Sequence, residues 1–241
     1  MEGLYLYGIV NTPPSFYLGV AGLGGRAVYL IPYRGLAAVV SDSPFCPYPI
    51  NAGNAATHEA VVEAVMLSQT ILPVRFNTIL VGRDRVLSML AEHYGAFQTD
   101  LLRLQDKVEM GLKVIWEDKP KKEGSRLGSQ SFLDLKDEGY GPGQSYLLAK
   151  WAEHVITEAI RHQGDSFISR IQATLIPLSV ENVIRRFPTE RLLLDASYLV
   201  EGKGQEAFCA GVEQLEEEMA DLCFLLTGPW PPYSFVRASN R

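Results

Sequence analysis

The chain has 241 residues, of which 47% are hydrophobic and 21% are charged, close to the averages of globular proteins. This composition excludes disordered, collagenous and coiled-coil classes, and a chain of this length buries enough surface to fold without disulfide bonds or a structural metal. The formal net charge of -6, from 22 Lys and Arg against 28 Asp and Glu, disfavours binding to nucleic acid or to anionic lipid.

The cysteines and the hydrophobic segments both favour a cytoplasmic protein. The three cysteines, Cys46, Cys209 and Cys223, form no CxxC motif, and an odd number of cysteines cannot all pair in disulfide bonds within the chain. This pattern is typical of free thiols in a reducing compartment. The first residues favour a β-strand and lack the basic region of a signal peptide. No hydrophobic run approaches the roughly 18 residues that a membrane helix needs, so we expect no membrane insertion.

The N-terminal part predicts a sheet with helices. Residues 26–31 and 35–41 favour strands, and the link between them is too short for a parallel crossover. They should therefore form an antiparallel hairpin, with a first strand at residues 4–10 nearby. Periodicity then predicts the following elements: a helix at 54–68, a strand-like run at 73–80, and helices at 83–93 and 96–107.

The C-terminal part predicts a second sheet, which begins with an alternating strand at residues 108–117. Residues 118–143 are rich in glycine and mixed charge and predict a variable excursion. Further elements are predicted as follows: a helix at 144–174 with a bend or break at Gly164, strands at 175–180 and 191–200, a helix at 205–220, and a strand at 222–227.

This order of elements is β-α-β-β-α-β, the ferredoxin-like arrangement. The sequence therefore predicts an α+β protein of two domains. Residues 1–107 are expected to form a mixed α+β sheet domain. Residues 108–241 are expected to form a ferredoxin-like domain that contains the excursion.

Motifs for catalysis or cofactor binding are incomplete or lack their structural context. Gly22–Ala27 fits G-x-G-x-x-A, but a strand follows it instead of a helix, which favours a glycine-rich turn. His58-Glu59 could begin a zinc-binding helix, but Val62 occupies the position of the second histidine. The remaining histidines have no metal-ligand neighbours: His93, His154 and His162. We predict no catalytic residue, cofactor or metal, with a Ser, His and Asp triad assembled across the fold as the open alternative.

Arg75 is the most informative charged residue, because it lies inside the apolar run 71–80. Its guanidinium must be paired or must reach solvent. Glu59 or Glu63 could supply a structural ion pair. The alternative is an arginine that binds a partner or an anion.

Two further surfaces have both a structural and a functional interpretation. The helix at 205–220 combines an apolar stripe with acidic residues, which form a solvated face or a docking surface for a basic partner. The segment 226–235 combines prolines, which disfavour helix and sheet, with three large aromatic side chains. The rings of Trp230, Tyr233 and Phe235 either fold back to close a core or lie open as an anchor for a partner.

Five segments together resemble the gas vesicle protein F/L family. They are LYLYGIV at 4–10, GLAAVVS at 35–41, HE at 58–59, LPVRFNT at 72–78 and GPWPPYSF at 228–235. These segments occur in order along most of the chain. One departure is Asn77, which stands where the motif of the family has glycine.

The resemblance implies a two-domain α+β protein, with a ferredoxin-like second domain, that takes part in assembling gas vesicles. These are hollow protein shells that give buoyancy to aquatic microbes. The resemblance implies no enzymatic activity and no cofactor. It also implies a cytoplasmic location associated with the vesicle, and shell protein A and other gas vesicle proteins as partners. Shell monomers that build an apolar wall would aggregate unless a protein shields their surfaces or strand edges.

We therefore interpret the protein as an assembly factor, and we take Arg75, Trp230, Tyr233 and Phe235 as candidate partner-binding residues. A competing hypothesis is a small-molecule enzyme or ligand sensor that uses a cleft between the two domains. A third is RNA binding by the ferredoxin-like sheet, which the acidic balance disfavours.

Overall fold

The computed structural model describes residues 2–12, 18–116, 151, 162–185 and 192–238. The chain divides into two units. The first comprises residues 1–110, 197–205 and 227–241, and the second comprises residues 111–196 and 206–226. The domain boundary between residues 107 and 108 stays a prediction.

The first sheet has five strands in the described residues, and β1 is its central strand. Its strands are β1 (Glu2–Asn11), β2 (Val28–Tyr33), β3 (Leu36–Pro44), β4 (Ile71–Pro73) and β5 (Ile79–Leu80). The order is β2-β3-β1-β4, β5 also pairs with β1, and all the pairs are antiparallel. The predicted hairpin is confirmed. Arg34 and Gly35 close it with φ values of 48° and 89°, as a two-residue hairpin turn with two positive φ angles requires.

Strand β1 is buried on both faces over residues 3–10, which explains its nearly continuous apolar sequence. Its register against β3 shifts between Leu6 and Gly8. Side chains alternate between the faces of a strand, and an extra residue reverses the alternation. As a result, Val10 joins Tyr5 and Tyr7 in one core cluster.

Three helices in the first unit follow the predicted pattern. They are α1 (Ala52–Met66), α2 (Gly82–Glu92) and α3 (Tyr94–Arg103). Helix α1 begins at a cap in which the Asn51 side chain accepts the N–H of Asn54 at 2.8 Å. Its buried residues include Val61, Val62 and Val65, which pack on the face of β1 that carries Tyr5 and Tyr7. Helix α3 ends four residues before the predicted end at 107.

The prediction of one strand-like run at 73–80 is wrong. Two short strands, β4 and β5, are separated by a turn at residues 74–78. Asn77 has a φ of 67° in this turn, a left-handed conformation that a strand does not contain. The Thr78 N–H donates to the Arg75 carbonyl at 3.2 Å and closes the turn.

The second sheet has four strands in the described residues, in the order β7-β8-β6-β9. The elements are β6 (Lys107–Trp116), α4 (described over residues 162–175), β7 (Glu181–Arg185), β8 (Leu192–Glu201), α5 (Gln205–Glu218) and β9 (Leu222–Trp230). Strand β8 lies between β6 and β7, and β6 lies between β8 and β9. In the chain, α4 lies between β6 and β7, and in the sheet these two strands are separated by β8. Likewise, α5 lies between β8 and β9, which are separated in the sheet by β6. This is the pattern of two interleaved β-α-β units. The α+β class with two sheets is confirmed, and the full ferredoxin-like topology stays a prediction.

Two predicted strands of the second sheet need correction. Residues 175–180 form no strand, because helix α4 continues through Gly164 to residue 175 and a 3-10 turn follows at Ile176–Leu178. Pro177 fits the start of that turn because it lacks an N–H to donate to a sheet. The strand predicted at 222–227 extends to Trp230, because β9 is an edge strand in the described sheet and tolerates Pro229.

The apolar stripe of helix α5 follows the sequence pattern. The predicted apolar stripe of α5 is buried: Phe208, Val212, Leu215 and Met219. The predicted excursion at 118–143 lies outside the described residues. None of the helices in the described ranges is long and apolar enough to cross a bilayer.

Candidate partner-binding site

Residues from distant segments meet in the first unit to form a buried polar cluster. Strand β1 contributes Tyr5 and Tyr7, helix α1 contributes His58 and Glu59, and the 3-10 helix Tyr233–Phe235 contributes Tyr233. The imidazole of His58 stacks on the Tyr7 ring, with the ring centroids 5.6 Å apart and an interplanar angle of 25°. The Tyr5 ring meets the same imidazole edge-on at 5.7 Å.

Hydrogen bonds join four of these residues and Asn77 in a chain that we call the His58 network: Asn77, Tyr5, His58, Tyr233 and Glu59. The Asn77 N–H donates to the Tyr5 hydroxyl at 2.8 Å, and that hydroxyl lies 3.1 Å from His58 Nδ1. His58 Nε2 lies 3.2 Å from the Tyr233 hydroxyl, which donates to Glu59 Oε2 at 3.1 Å. A neutral His58 with its proton on Nε2 fits the contacts with the two tyrosines, since Tyr5 then donates to Nδ1 and Nε2–H donates to Tyr233.

Burial shifts the protonation equilibria toward this neutral arrangement. Burial lowers the pKa of His58 to about 4, against the opposing effect of a hydrogen bond with the Val74 backbone. Burial also raises the pKa of Tyr5 to about 12. The pKa of Tyr233 is raised by burial and then by the negative charge of Glu59. Burial raises the pKa of the Glu59 carboxyl as well.

We expect the free energy of unfolding to fall as the pH falls from 7 to 5, by roughly 1–2 kcal/mol through His58 alone. His58 has a pKa near 6.5 when unfolded and about 4 when folded, so in this interval the unfolded state binds the extra proton. The raised pKa of Glu59 acts in the opposite direction. Urea unfolding of the wild type and of His58→Gln at each pH isolates the His58 contribution. Equal pH slopes in the two proteins would contradict the prediction.

The glycine-rich segment after β1 packs against the second tyrosine of the cluster. The Tyr7 hydroxyl accepts the N–H of Leu23 at 2.9 Å and lies 3.0 Å from the Ser41 hydroxyl. A Cβ on Gly22 would lie 2.3 Å from the Tyr7 hydroxyl, so glycine is required by this close approach. The interpretation of Gly22–Ala27 as a glycine-rich turn is confirmed, because a 3-10 turn at Leu23–Gly25 leads into strand β2.

Carboxylates hold the C-terminal segment, residues 231–238, in place within the first unit. Glu109 accepts the N–H and the hydroxyl of Ser234, at 2.8 Å and 2.7 Å. Asp100 accepts the N–H groups of Arg237 and Ala238 at 2.7 Å and 2.9 Å. The side chain of Phe235 is only 3% exposed, so this ring packs into the protein.

An open groove of about 470 Å³, which we call the Trp230 groove, lies beside the His58 network. Its lining is mainly apolar and consists of Ala55, Ala56, Glu59, Glu109, Trp230, Pro231 and Tyr233. Trp230 is 38% exposed, whereas Tyr233 is half-buried and uses its hydroxyl within the network. The three aromatic residues of the C-terminal end therefore behave differently, because one packs inside, one is half-buried and one is open to solvent.

Arg75 lies apart from the lining of the groove. Its side chain is exposed, and it forms no ion pair within the described ranges. The structural ion pair with Glu59 or Glu63 is therefore wrong, since Glu59 bonds to Tyr233 instead. The described residues also contain no cluster of three or more side chains able to hold a metal ion.

Comparison with known proteins gives the family. The family model described as gas vesicle synthesis protein GvpL/GvpF matches residues 3–237, nearly the whole chain. The chain belongs to the GvpL/GvpF family. Gas vesicle protein F2 of Halobacterium salinarum is 28% identical over 237 residues, which cover 97% of this chain and 91% of that protein. Gas vesicle protein F of a Nostoc species is 24% identical over 242 residues and 99% of both chains.

A solved structure shows the same fold. The crystal structure of GvpF from an Anabaena species superposes with a TM-score of 0.85 at 23% identity, over 98% of this chain and 99% of that one. Membership in the GvpL/GvpF family gives the protein a role in gas vesicle formation.

Asn77, the one departure from the GvpL/GvpF motif noted in the sequence, has a physical explanation. Asparagine tolerates the left-handed conformation better than other residues with a side chain, and Asn77 has a φ of 67°. Its side-chain oxygen accepts the Tyr48 N–H at 2.9 Å, and its amide donates to the Tyr48 carbonyl at 2.9 Å. Asparagine therefore suits the backbone conformation of this turn, and its side chain joins the turn to Tyr48 through two hydrogen bonds.

Proposed function

We propose that this GvpL/GvpF chain is a non-enzymatic accessory protein that binds gas vesicle shell protein A during vesicle assembly. The observation that carries the proposal is the Trp230 groove, an open and mainly apolar depression with a solvent-exposed tryptophan. Large aromatic residues are enriched among the side chains that dominate protein–protein binding. An apolar depression suits a partner whose own surface is apolar and prone to aggregate.

The hydrogen bonds beside the groove support a binding role more than a catalytic one. In the described part of the chain, the hydroxyl of Tyr233 and both ring nitrogens of His58 contact one another or other protein groups. Both carboxylate oxygens of Glu109 accept bonds from Ser234. These groups fix the shape of the groove wall.

We also propose the exposed Arg75 as a second contact for a partner, separate from the groove. Its turn is rigid, because the N–H of Thr78 and the hydroxyl of Thr78 both bond to the Arg75 carbonyl, at 3.2 Å and 2.6 Å. The planar guanidinium of an exposed arginine offers a fork of N–H donors to a carboxylate of a partner.

The test combines binding with vesicle formation. We expect tagged protein to retain purified shell protein A, and we expect a gas vesicle gene cluster that lacks this gene to form few or no vesicles until the gene is restored. Immunodetection on washed mature vesicles then separates retention as a minor shell component from release after assembly. Normal vesicle numbers without the gene, together with no retention of shell protein A, would reject the proposal.

A further inference from the structure

We propose that the Trp230 groove receives a cationic side chain, best an arginine, from an apolar segment of the partner protein. This inference deepens the proposed function and rests on it, since it names the chemistry by which the partner is recognised. It starts from the charges that line the groove and from the absence of a cation to balance them within the described residues.

Glu59 carries a half-buried carboxylate at the edge of the groove. Its hydrogen bond in the described ranges comes from the Tyr233 hydroxyl, and no Lys, Arg or His of those ranges forms an ion pair with it. Glu63, one turn further along α1, adds a second negative charge nearby. Placing a carboxylate in a partly desolvated position beside a like charge is unfavourable. A cation from outside the chain would offset that cost.

Glu109 adds a second carboxylate to the same groove. It is 8% exposed, and its two oxygens accept the N–H and the hydroxyl of Ser234, both of which are neutral donors. No salt bridge to Glu109 occurs in the described part of the chain. Two acidic residues therefore line the groove, and their described partners within the chain are uncharged.

The apolar and aromatic walls of the groove favour arginine as the residue that supplies the positive charge. Trp230 is 38% exposed and lines the groove, and a guanidinium stacks on an accessible indole ring more favourably than it does on aliphatic surface. Ala55, Ala56 and Pro231 offer apolar surface for the methylene groups of an arginine and for its apolar neighbours. A bare metal ion would leave these apolar walls without contacts, and the described residues hold no cluster of three metal-binding side chains.

The binding experiment removes the charge of the groove and its tryptophan ring separately. Glu59→Gln keeps an acceptor for the Tyr233 hydroxyl but removes the charge, and Trp230→Ala removes the π face. We expect each to weaken the binding of shell protein A by about tenfold in biolayer interferometry, and we expect the wild-type affinity to fall as salt is added. The matched control is Glu92→Gln on the exposed surface of α2, outside the lining of the groove, which should bind like the wild type.

A second measurement separates failure of the groove from failure of the proposed function. A displayed library of random heptapeptides is selected on the wild type and on the Glu59→Gln, Trp230→Ala double variant, after urea unfolding has shown that the variant is folded. We expect peptides retained only by the wild type to share an arginine or lysine beside apolar residues.

The outcomes are distinct. If shell protein A binds the wild type and all variants equally, the groove inference is overturned while the proposed function stands. If shell protein A does not bind the wild type, the proposed function fails and the library decides the groove inference. Peptides without a basic residue, or equal selection on the double variant, overturn the inference.

Discussion

Replacement of Asp100 by alanine is expected to lower the free energy of unfolding by about 3–5 kcal/mol, the cost of breaking a buried ion pair. Asp100 is 3% exposed, and its Oδ1 pairs with Arg103 at 2.8 Å. Its Oδ2 accepts the N–H groups of Arg237 and Ala238. Alanine would leave the mostly buried guanidinium of Arg103 without its carboxylate and two backbone N–H groups without an acceptor.

Urea unfolding measures the total loss, and hydrogen exchange locates it. We expect the amides of Arg237 and Ala238 to exchange faster in the variant, because both lose the carboxylate that protects them. The matched control is Glu92→Ala, which removes the exposed ion pair with Arg85 at 3.7 Å and should cost about 1 kcal/mol or less. A loss for Asp100→Ala as small as that of the control would show that the C-terminal segment is not held by this carboxylate.

Local patterns account for the parts of the fold that the sequence predicted well. The hairpin of β2 and β3 follows from two apolar runs and a link that is too short for a parallel crossover. The stripe of α5 follows from helical spacing, because four apolar residues on one face must be buried together. Both features depend on neighbours in the chain, so no knowledge of distant contacts was needed.

The errors in the fold arose where a single residue overrode the hydrophobic pattern. The run 71–80 is apolar enough for one strand, but Asn77 takes a left-handed conformation and divides it. At 175–180, Pro177 ends the helical segment in a 3-10 turn and delays the next strand to Glu181. Hydrophobicity gives the burial of such residues, whereas backbone conformation decides which element they form.

The candidate site depends on contacts between residues that are far apart in the chain. Tyr5 and His58 are 53 positions apart, and His58 and Tyr233 are 175 positions apart. The family resemblance marked these residues without showing that they touch. Glu109 was missed, although a carboxylate inside a strand with a buried face is a signal that an internal partner must be present, and Ser234 is that partner.

For Arg75, the sequence predicted a buried contact that the structure does not contain. Its position inside an apolar run suggested a buried guanidinium with a carboxylate partner, but the turn at 74–78 brings it to the surface. A charge in an apolar run requires a partner only if the run is extended and buried on both sides. The turn, which depends on Asn77, removes that condition.

Replacement of Gly228 by alanine is expected to lower the free energy of unfolding by about 2–5 kcal/mol, because overpacking and backbone strain act together. Gly228 has a φ of 115°, which L side chains rarely adopt. An added Cβ would also lie 2.7 Å from the Glu109 carbonyl oxygen, a backbone atom that has little freedom to move. Relief of that contact would displace the strand end that carries Trp230.

Gly35→Ala is the control that separates the two causes. Gly35 also has a positive φ, 89°, but an added Cβ there would meet no atom within 4 Å. This variant should therefore show only the conformational cost, about 1–2 kcal/mol. Urea unfolding gives the loss of unfolding free energy for each variant. The amount by which the loss for Gly228→Ala exceeds that for Gly35→Ala measures the clash with the Glu109 carbonyl. Equal losses would mean that the contact at Gly228 relaxes freely, and the position of Trp230 would then not depend on a glycine at this site.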